Sequence, residues 1–360
     1  MRWVALLLFA VGCSSSAAGT KSVASKAELG DLLFHDPNLS EPAGQACADC
    51  HDAKLAFSDP EFDRVSAGVH ADRVGARNSQ SAMYARFVPP LHKDESGNMV
   101  GGLFWDGRAN TLEDQAALPL VNPLEMNNPD KATVVAKIKK HYAPQFRKLF
   151  GKDALADVDT AYKHVTEALA EFQRSAQFSP FSSKYDRYLA GTAQLDESEA
   201  RGLAIFEDPA RGNCASCHPS RPSADGTPPL FTTFAYENLG LPKFADSPFY
   251  TLPKELNPDG EAFIDRGLGK TTGDPAHDGK FRVPSLRNVA KTGPYGHNGY
   301  VHRLDEMVEL ITGSCMREGT CKLPAPEVPA GAQRVRSQQQ QMTRQDIADL
   351  VAFMRTLTDE

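Results

Sequence analysis

Two pentapeptides hold the first readable chemistry: Cys47-Ala48-Asp49-Cys50-His51 and Cys214-Ala215-Ser216-Cys217-His218. Each sets two thiols three positions apart, with a histidine directly after the second. That spacing matches the two vinyl groups of a porphyrin, to which thiols add as thioethers, and it sets the adjacent imidazole against the iron from the proximal side. A single C-x-x-C-H also suits a redox dithiol or half of a zinc site. Zinc, however, wants four ligands at one centre, and these two pairs lie far apart in the chain. The repeat therefore predicts two covalent c-type haems, with His51 and His218 as proximal ligands and Cys47, Cys50, Cys214 and Cys217 as attachment points.

The beginning of the chain fits that chemistry, because haem attachment of this kind belongs to an exported protein. The stretch MRWVALLLFAVGC has an Arg-bearing start, an apolar run from Trp3 to Val11, and Ala10-Val11-Gly12 before Cys13. It is too short for a stable membrane span and reads as a signal peptide over residues 1–12. Its end resembles a lipobox, so Cys13 is expected to take a lipid and tether the protein on the periplasmic side of a bacterial membrane. Simple secretion into the periplasm, with Cys13 discarded, is the other outcome. Residues 13–25, opening on Ser14, Ser15 and Ser16, are small and polar and read as a flexible tether. Of the seven cysteines, Cys315 and Cys321 remain; in an oxidising compartment they are expected to form a local disulfide.

These groups need elements to position them. At 360 residues the chain has room for two domains. The 46 acids outnumber the 39 bases, which gives no electrostatic basis for nucleic-acid binding. Apolar residues recur at helical spacing over 26–35, 129–141, 162–178, 196–206, 304–311 and 343–357. Thr343 with Asp346 three positions on reads as a helix start. No region alternates as a large sheet would. The expected fold is all-α: two tandem cytochrome c-like domains, 26–180 and 195–360, each wrapped round a haem whose apolar faces replace much of a core. The Gly/Pro-rich stretches 219–229 and 244–280 are expected to cover the second haem and the partner-facing surface.

Between and after the motifs lie GGLFWDGRANTLEDQAALPLVNPLEMNNPD and FRVPSLRNVAKTGPYGHNGY. With two haem motifs in this order, the chain from about Lys26 to its end resembles the bacterial di-haem cytochrome c peroxidase family. That family includes MauG-type enzymes, which oxidise tryptophan side chains in a partner protein. The resemblance implies that peroxide binds at the N-terminal haem and that the C-terminal haem stores an electron. It assigns Trp105 as the relay between them, where an isolated Trp would read as core filler. Gln115 and Glu125, ten and twenty residues beyond Trp105, match the distal pair. Glu125 would move the peroxide proton, Gln115 would orient the peroxide and Pro119 would line the pocket; without the motif Glu125 reads as a solvated acid.

Other family positions transfer less simply. His70 is either a labile ligand of the N-terminal iron, as in the peroxidases, or a solvated loop histidine; in the second case the iron is permanently open, as in MauG-type enzymes. Asn78, Thr292 and Pro294 match residues that hold a calcium ion through one side-chain oxygen and two carbonyls, or are ordinary turn residues. The second axial ligand of the C-terminal haem, a methionine or a tyrosine in the two branches, should stand fourteen residues after His297. That position is Ile311, which cannot ligate iron. Met307, Met316 and His302 lie nearby, and water or an empty site is the remaining option. The implied activity is reduction of hydrogen peroxide to water with electrons from a small cytochrome or copper protein. The alternatives are a MauG-like role on a partner protein substrate and a non-catalytic electron carrier.

Overall fold

The computed structural model describes residues 22–61, 64–314, 323–333 and 342–360. Cys13, the tether up to Lys21, Cys315, Met316 and Cys321 lie outside the described residues. Among the described residues the regular structure is mostly helical, with 40% in helix and few, small strands. The helices are α1 (Lys26–Phe34), α2 (Cys47–Cys50), α3 (Leu112–Val121), α4 (Lys131–His141), α5 (Ala143–Phe150), α6 (Val158–Gln173), α7 (Lys184–Leu189), α8 (Glu197–Glu207), α9 (Leu268–Thr272), α10 (Leu304–Thr312) and α11 (Arg344–Arg355). Among the described residues there are also two short antiparallel ladders. In one, β1 (His92–Lys93) pairs with β2 (Met99–Val100); in the other, β3 (Tyr236–Glu237) pairs with β4 (Phe281–Arg282).

Side-chain caps decide where the helices start. Ser25, Asp130, Asp157, Asp196 and Thr343 each accept a backbone N–H in the first turn of the following helix, satisfying donors that have no partner within the helix. This shifts two of the sequence readings. The 129–141 helix starts at Lys131 because Asp130 is its cap. The 162–178 helix starts earlier, at Val158 behind Asp157, and breaks after Gln173 before a short turn at Ala176–Phe178. Thr343 and Asp346 form the expected reciprocal pair.

The helices pack into two cores. One gathers Leu29, Leu33, Phe34, Ile138, Phe146, Val165, Leu169, Phe172 and Phe178; the other Tyr185, Phe206, Phe231, Ile347, Leu350 and Phe353. Each core is organised by one close helix crossing, and the two crossings repeat. A Cβ on Gly30 of α1 would sit 1.9 Å from the Ala168 carbonyl oxygen of α6, and one on Gly202 of α8 would sit 2.0 Å from that of Asp349 on α11. In both, the next closest side chain is a phenylalanine four residues on, Phe172 or Phe353. The sequence carries the same duplication: Gly30-x3-Phe34-x-Asp36-Pro37 against Gly202-x3-Phe206-x-Asp208-Pro209.

Polar contacts join the two halves. Tyr84 Oη donates to Asp359 at 2.7 Å, and Asn288 Nδ2 donates to the same carboxylate at 2.8 Å. Arg287, whose side chain is fully buried, pairs with Asp186 at 2.7 Å and lies over the Tyr84 ring. Among the described residues no helix is long and apolar enough to cross a membrane.

Candidate active site

Each C-x-x-C-H segment borders a cavity. The N-terminal one, about 640 Å³, is lined by Cys47, Cys50 and His51 together with Gln115, Pro119 and Glu125. The C-terminal one, about 250 Å³, is lined by Cys214, Cys217 and His218. The two histidines are held identically. His51 Nδ1 lies 2.9 Å from the Phe57 carbonyl oxygen, and His218 Nδ1 lies 2.7 Å from that of Phe231. A carbonyl only accepts, so Nδ1 carries the proton in both rings and Nε2 holds the lone pair a metal requires. Phe57 and Phe231 are both buried and both adopt a left-handed backbone with φ of 52°, which turns each carbonyl toward its imidazole. These features fit two haem groups. Burial pushes the Cys47 and Cys50 thiols up to about 12, whereas a redox dithiol needs a thiolate near neutral pH.

The distal pair comes from α3 and the turn after it. Thr111 caps α3, which puts Gln115 in its second turn, and Asn122 ends it. Asn122 then holds the next turn: its carbonyl accepts from the Glu125 N–H at 3.0 Å and its Nδ2 donates to Glu125 Oε1 at 2.7 Å. Glu125 lines the cavity and is half-buried there. Burial raises its pKa, while the Asn122 hydrogen bond and the charge of Arg108 oppose the rise without cancelling it. A carboxyl with a raised pKa exchanges a proton near neutral pH more readily than an exposed one. Asn122 is a residue the sequence reading missed; its position at a helix end three residues before the acid was the available signal.

Trp105 lines both cavities. Its indole N–H donates to the Asn78 carbonyl at 2.9 Å, and the Asn78 N–H donates to the His297 carbonyl at 2.8 Å. Next along the chain from Trp105, Asp106 pairs with Arg77 at 2.7 Å, and Arg77 also pairs with Asp265 at 2.7 Å. Burial alone would raise the Asp265 carboxyl, but Arg77 holds it well below the usual carboxylate range. This buried cluster fixes the tryptophan between the two cavities.

The remaining predicted residues fall as follows. Asn78, Thr292 and Pro294 all border the C-terminal cavity. Among the described residues no group of three His, Cys, Asp or Glu side chains gathers as a metal site. His70 is half-buried, pairs with Asn127 Nδ2 at 3.2 Å, and is not part of the N-terminal cavity lining. Met307 and Ile311 stand one turn apart on α10 and both line the C-terminal cavity. His302 Nε2 accepts from Arg64 at 2.9 Å.

The 244–280 stretch divides differently from expectation. Phe249, Phe263, Ile264, Asp265, Arg266, Lys270 and Thr271 border the N-terminal cavity, and only Asp265 and Gly279 border the other. The physical reason is apolar: Phe249 and Tyr250 are buried against Val65, Val74 and Leu124 of the first half. The second half thus contributes part of the wall around the first half's site.

Paired C-x-x-C-H segments in two cavities, with one tryptophan in the wall of both, define a class of two-centre helical oxidoreductases. Comparison with known proteins agrees. Residues 24–194 match a family described as di-haem cytochrome c peroxidase. The chain is 39% identical over 365 residues to the methylamine utilization protein MauG of Paracoccus denitrificans, covering 95% of this chain and 92% of that protein. It is 28% identical to the cytochrome c551 peroxidase of Nitrosomonas europaea, covering 95% and 83%. Among solved structures, the diheme peroxidase BthA of Burkholderia thailandensis superposes with a TM-score of 0.79 at 33% identity, covering 93% of this chain and 86% of that one. The chain belongs to the di-haem cytochrome c peroxidase and MauG family, and membership implies two haem c groups.

Proposed function

We propose that this chain is a di-haem peroxidase that reduces hydrogen peroxide to water, with its peroxide site in the N-terminal cavity. One observation carries the reading: a half-buried carboxyl, an amide and a C-x-x-C-H segment line one cavity, and Trp105 lines both that cavity and the second. Cys47, Cys50 and His51, and Cys214, Cys217 and His218, would each hold a haem, and the haem iron would supply the redox chemistry of peroxide reduction. The protein's part is proton and substrate handling. The overall change is one peroxide, two electrons and two protons to two waters. Glu125 takes the proton from one peroxide oxygen and returns it to the other, so that the departing oxygen leaves as water rather than hydroxide. Gln115 orients the peroxide by hydrogen bonding, and Pro119 limits the space beside it. Asn122 keeps the Glu125 carboxyl in place. Trp105 is the path for electrons between the cavities.

In this reading residues 26–180 form the peroxidatic half and 195–360 the electron-transfer half. Asn78, Thr292 and Pro294 are the proposed calcium ligands, and of Met307 and Met316, the two candidates for the iron ligand that Ile311 cannot supply, Met307 is the one that lines the C-terminal cavity. The expected setting is periplasmic, with the donor a small cytochrome or copper protein.

A second reading is favoured by the 39% identity with a MauG protein: peroxide oxidises side chains of a partner protein instead of a small donor. His70, paired with Asn127 away from the cavity lining, suits a permanently open N-terminal site, which this reading requires. The separating experiment is peroxide turnover with a reduced small cytochrome c. Oxidation of two cytochromes per peroxide supports the first reading; peroxide consumption that leaves the cytochrome reduced sinks it in favour of the second.

A further inference from the structure

Three arginines stand near the junction of the halves, Arg282 and Arg287 buried and Arg77 largely so, and two of the three are neutralised by acids. Arg77 has Asp106 and Asp265, and Arg287 has Asp186. Arg282 has none: among the described residues no carboxylate lies within ion-pairing distance of it. It is 7% exposed, its Nε donates to the Phe104 carbonyl at 3.2 Å, and its guanidinium lies 6.0 Å from the Phe234 ring centroid. Burial pulls its pKa down to about 10, which still leaves it charged at neutral pH. A buried cation without a counter-charge is strongly unfavourable.

Position bears on which anion would suit Arg282. Arg282 ends β4, and its N–H donates to the Trp105 carbonyl at 2.9 Å. It lines both cavities. Phe104, which takes its Nε, borders the N-terminal cavity, while Phe234, under its guanidinium, borders the C-terminal one. Thioether formation consumes the vinyl groups of a haem and leaves its two propionates, so each filled cavity brings two carboxylates. Arg presents donors in a planar fork that suits carboxylates and can serve two at once.

We propose that Arg282 is a shared carboxylate site that takes a propionate from each haem, tying the two groups together electrostatically beside Trp105. The inference rests on the two-haem reading. A positive charge at a propionate favours the reduced form of the iron, so Arg282 raises both haem potentials together.

The test uses the full-length holoprotein carrying R282Q and R282K. Covalent haem is counted first by the pyridine haemochrome assay, and each haem's midpoint potential is then read by spectroelectrochemical titration at several chloride and phosphate concentrations. With two haems per chain, R282Q is expected to lower both potentials, R282K to keep them closer to wild type, and the wild-type values not to follow anion concentration beyond general ionic strength. Unmoved potentials in R282Q, a shift of one haem alone, or a specific dependence on chloride or phosphate would each overturn the shared-propionate site, the last pointing to a solution anion. If R282Q does not load haem, R282K is read by resonance Raman. The propionate bending band must then shift from its wild-type position, and an unshifted band overturns the proposal. Fewer than two haems in the wild type would instead refute the two-haem reading itself.

Discussion

Replacing Glu125 by Gln isolates the proton-transfer step. Gln has the same shape, and its amide can keep the contact to Asn122 that the carboxylate makes at 2.7 Å, so folding and haem loading should be unaffected. What is lost is the ability to take and return a proton, worth about 10²–10⁴ in rate, or about 2.7–5.4 kcal/mol at about 1.36 kcal/mol per decade. The pH dependence gives a second reading of the same group. Burial raises the Glu125 pKa, with Asn122 and Arg108 only partly opposing it. To act as the first base the carboxyl must be ionised, and the ionised fraction grows as pH rises through the raised pKa. The wild-type rate should therefore climb with pH over a limb lying above the ordinary glutamate value of about 4.3, and E125Q should lack that limb. The assay is stopped-flow reaction of the protein with hydrogen peroxide across pH. An E125Q rate within about threefold of wild type, far inside the range expected of an acid–base group, would refute the assignment, as would an unchanged ascending limb.

Other substitutions test the relay and the frame that holds it. W105F removes the indole and its 2.9 Å bond to the Asn78 carbonyl; electron transfer between the centres, followed by rapid-mixing spectroscopy, should slow while covalent haem content stays at two, and an unchanged transfer rate would exclude Trp105 as the path. G202A places a methyl 2.0 Å from the Asp349 carbonyl oxygen, so the α8–α11 crossing must open; overpacking of this kind costs about 1–3 kcal/mol, read as a lower calorimetric transition temperature. Removing Asp186 leaves the fully buried Arg287 side chain without its carboxylate, so D186N should destabilise by roughly 3–5 kcal/mol in denaturant titration. Burial would raise the Asp186 pKa, but Arg287 and Ser183 hold it below its ordinary value. Its contribution is thus present above the unfolded value of about 3.9 and fades as pH falls through the lower folded value, and D186N should flatten that part of the acid limb.

The chemistry was more legible in the sequence than the architecture around it. Cys47 to His51 and Cys214 to His218 carry their meaning in local spacing, and the structure places each at a cavity edge with the histidine anchored by Nδ1. Trp105, Gln115 and Glu125 needed a longer pattern to be singled out, and they meet at one cavity. Helix existence followed from periodicity, while starts moved by several residues where Asp130 and Asp157 act as caps. The tandem crossings were readable in the Gly-x3-Phe-x-Asp-Pro repeat but only stand out once Gly30 and Gly202 are seen against a facing carbonyl. What local sequence does not encode is which half a long loop joins. Phe249 and Phe263 lie in the second half, yet they border the N-terminal cavity because Phe249 is buried against the first half and Phe263, partly buried, packs on the same cluster. The same holds for Arg282, which reads as an ordinary strand residue until it is seen that no carboxylate among the described residues pairs with it.

The most direct test combines covalent haem counting by intact mass with electron paramagnetic resonance of the purified, oxidised and half-reduced protein, before and after hydrogen peroxide. Two covalent haems per chain, one of them high-spin in at least one of these redox states and altered by peroxide while the other keeps its ligands, is the predicted result. A chain without covalent haem, or two low-spin centres that ignore peroxide in every state, would contradict it.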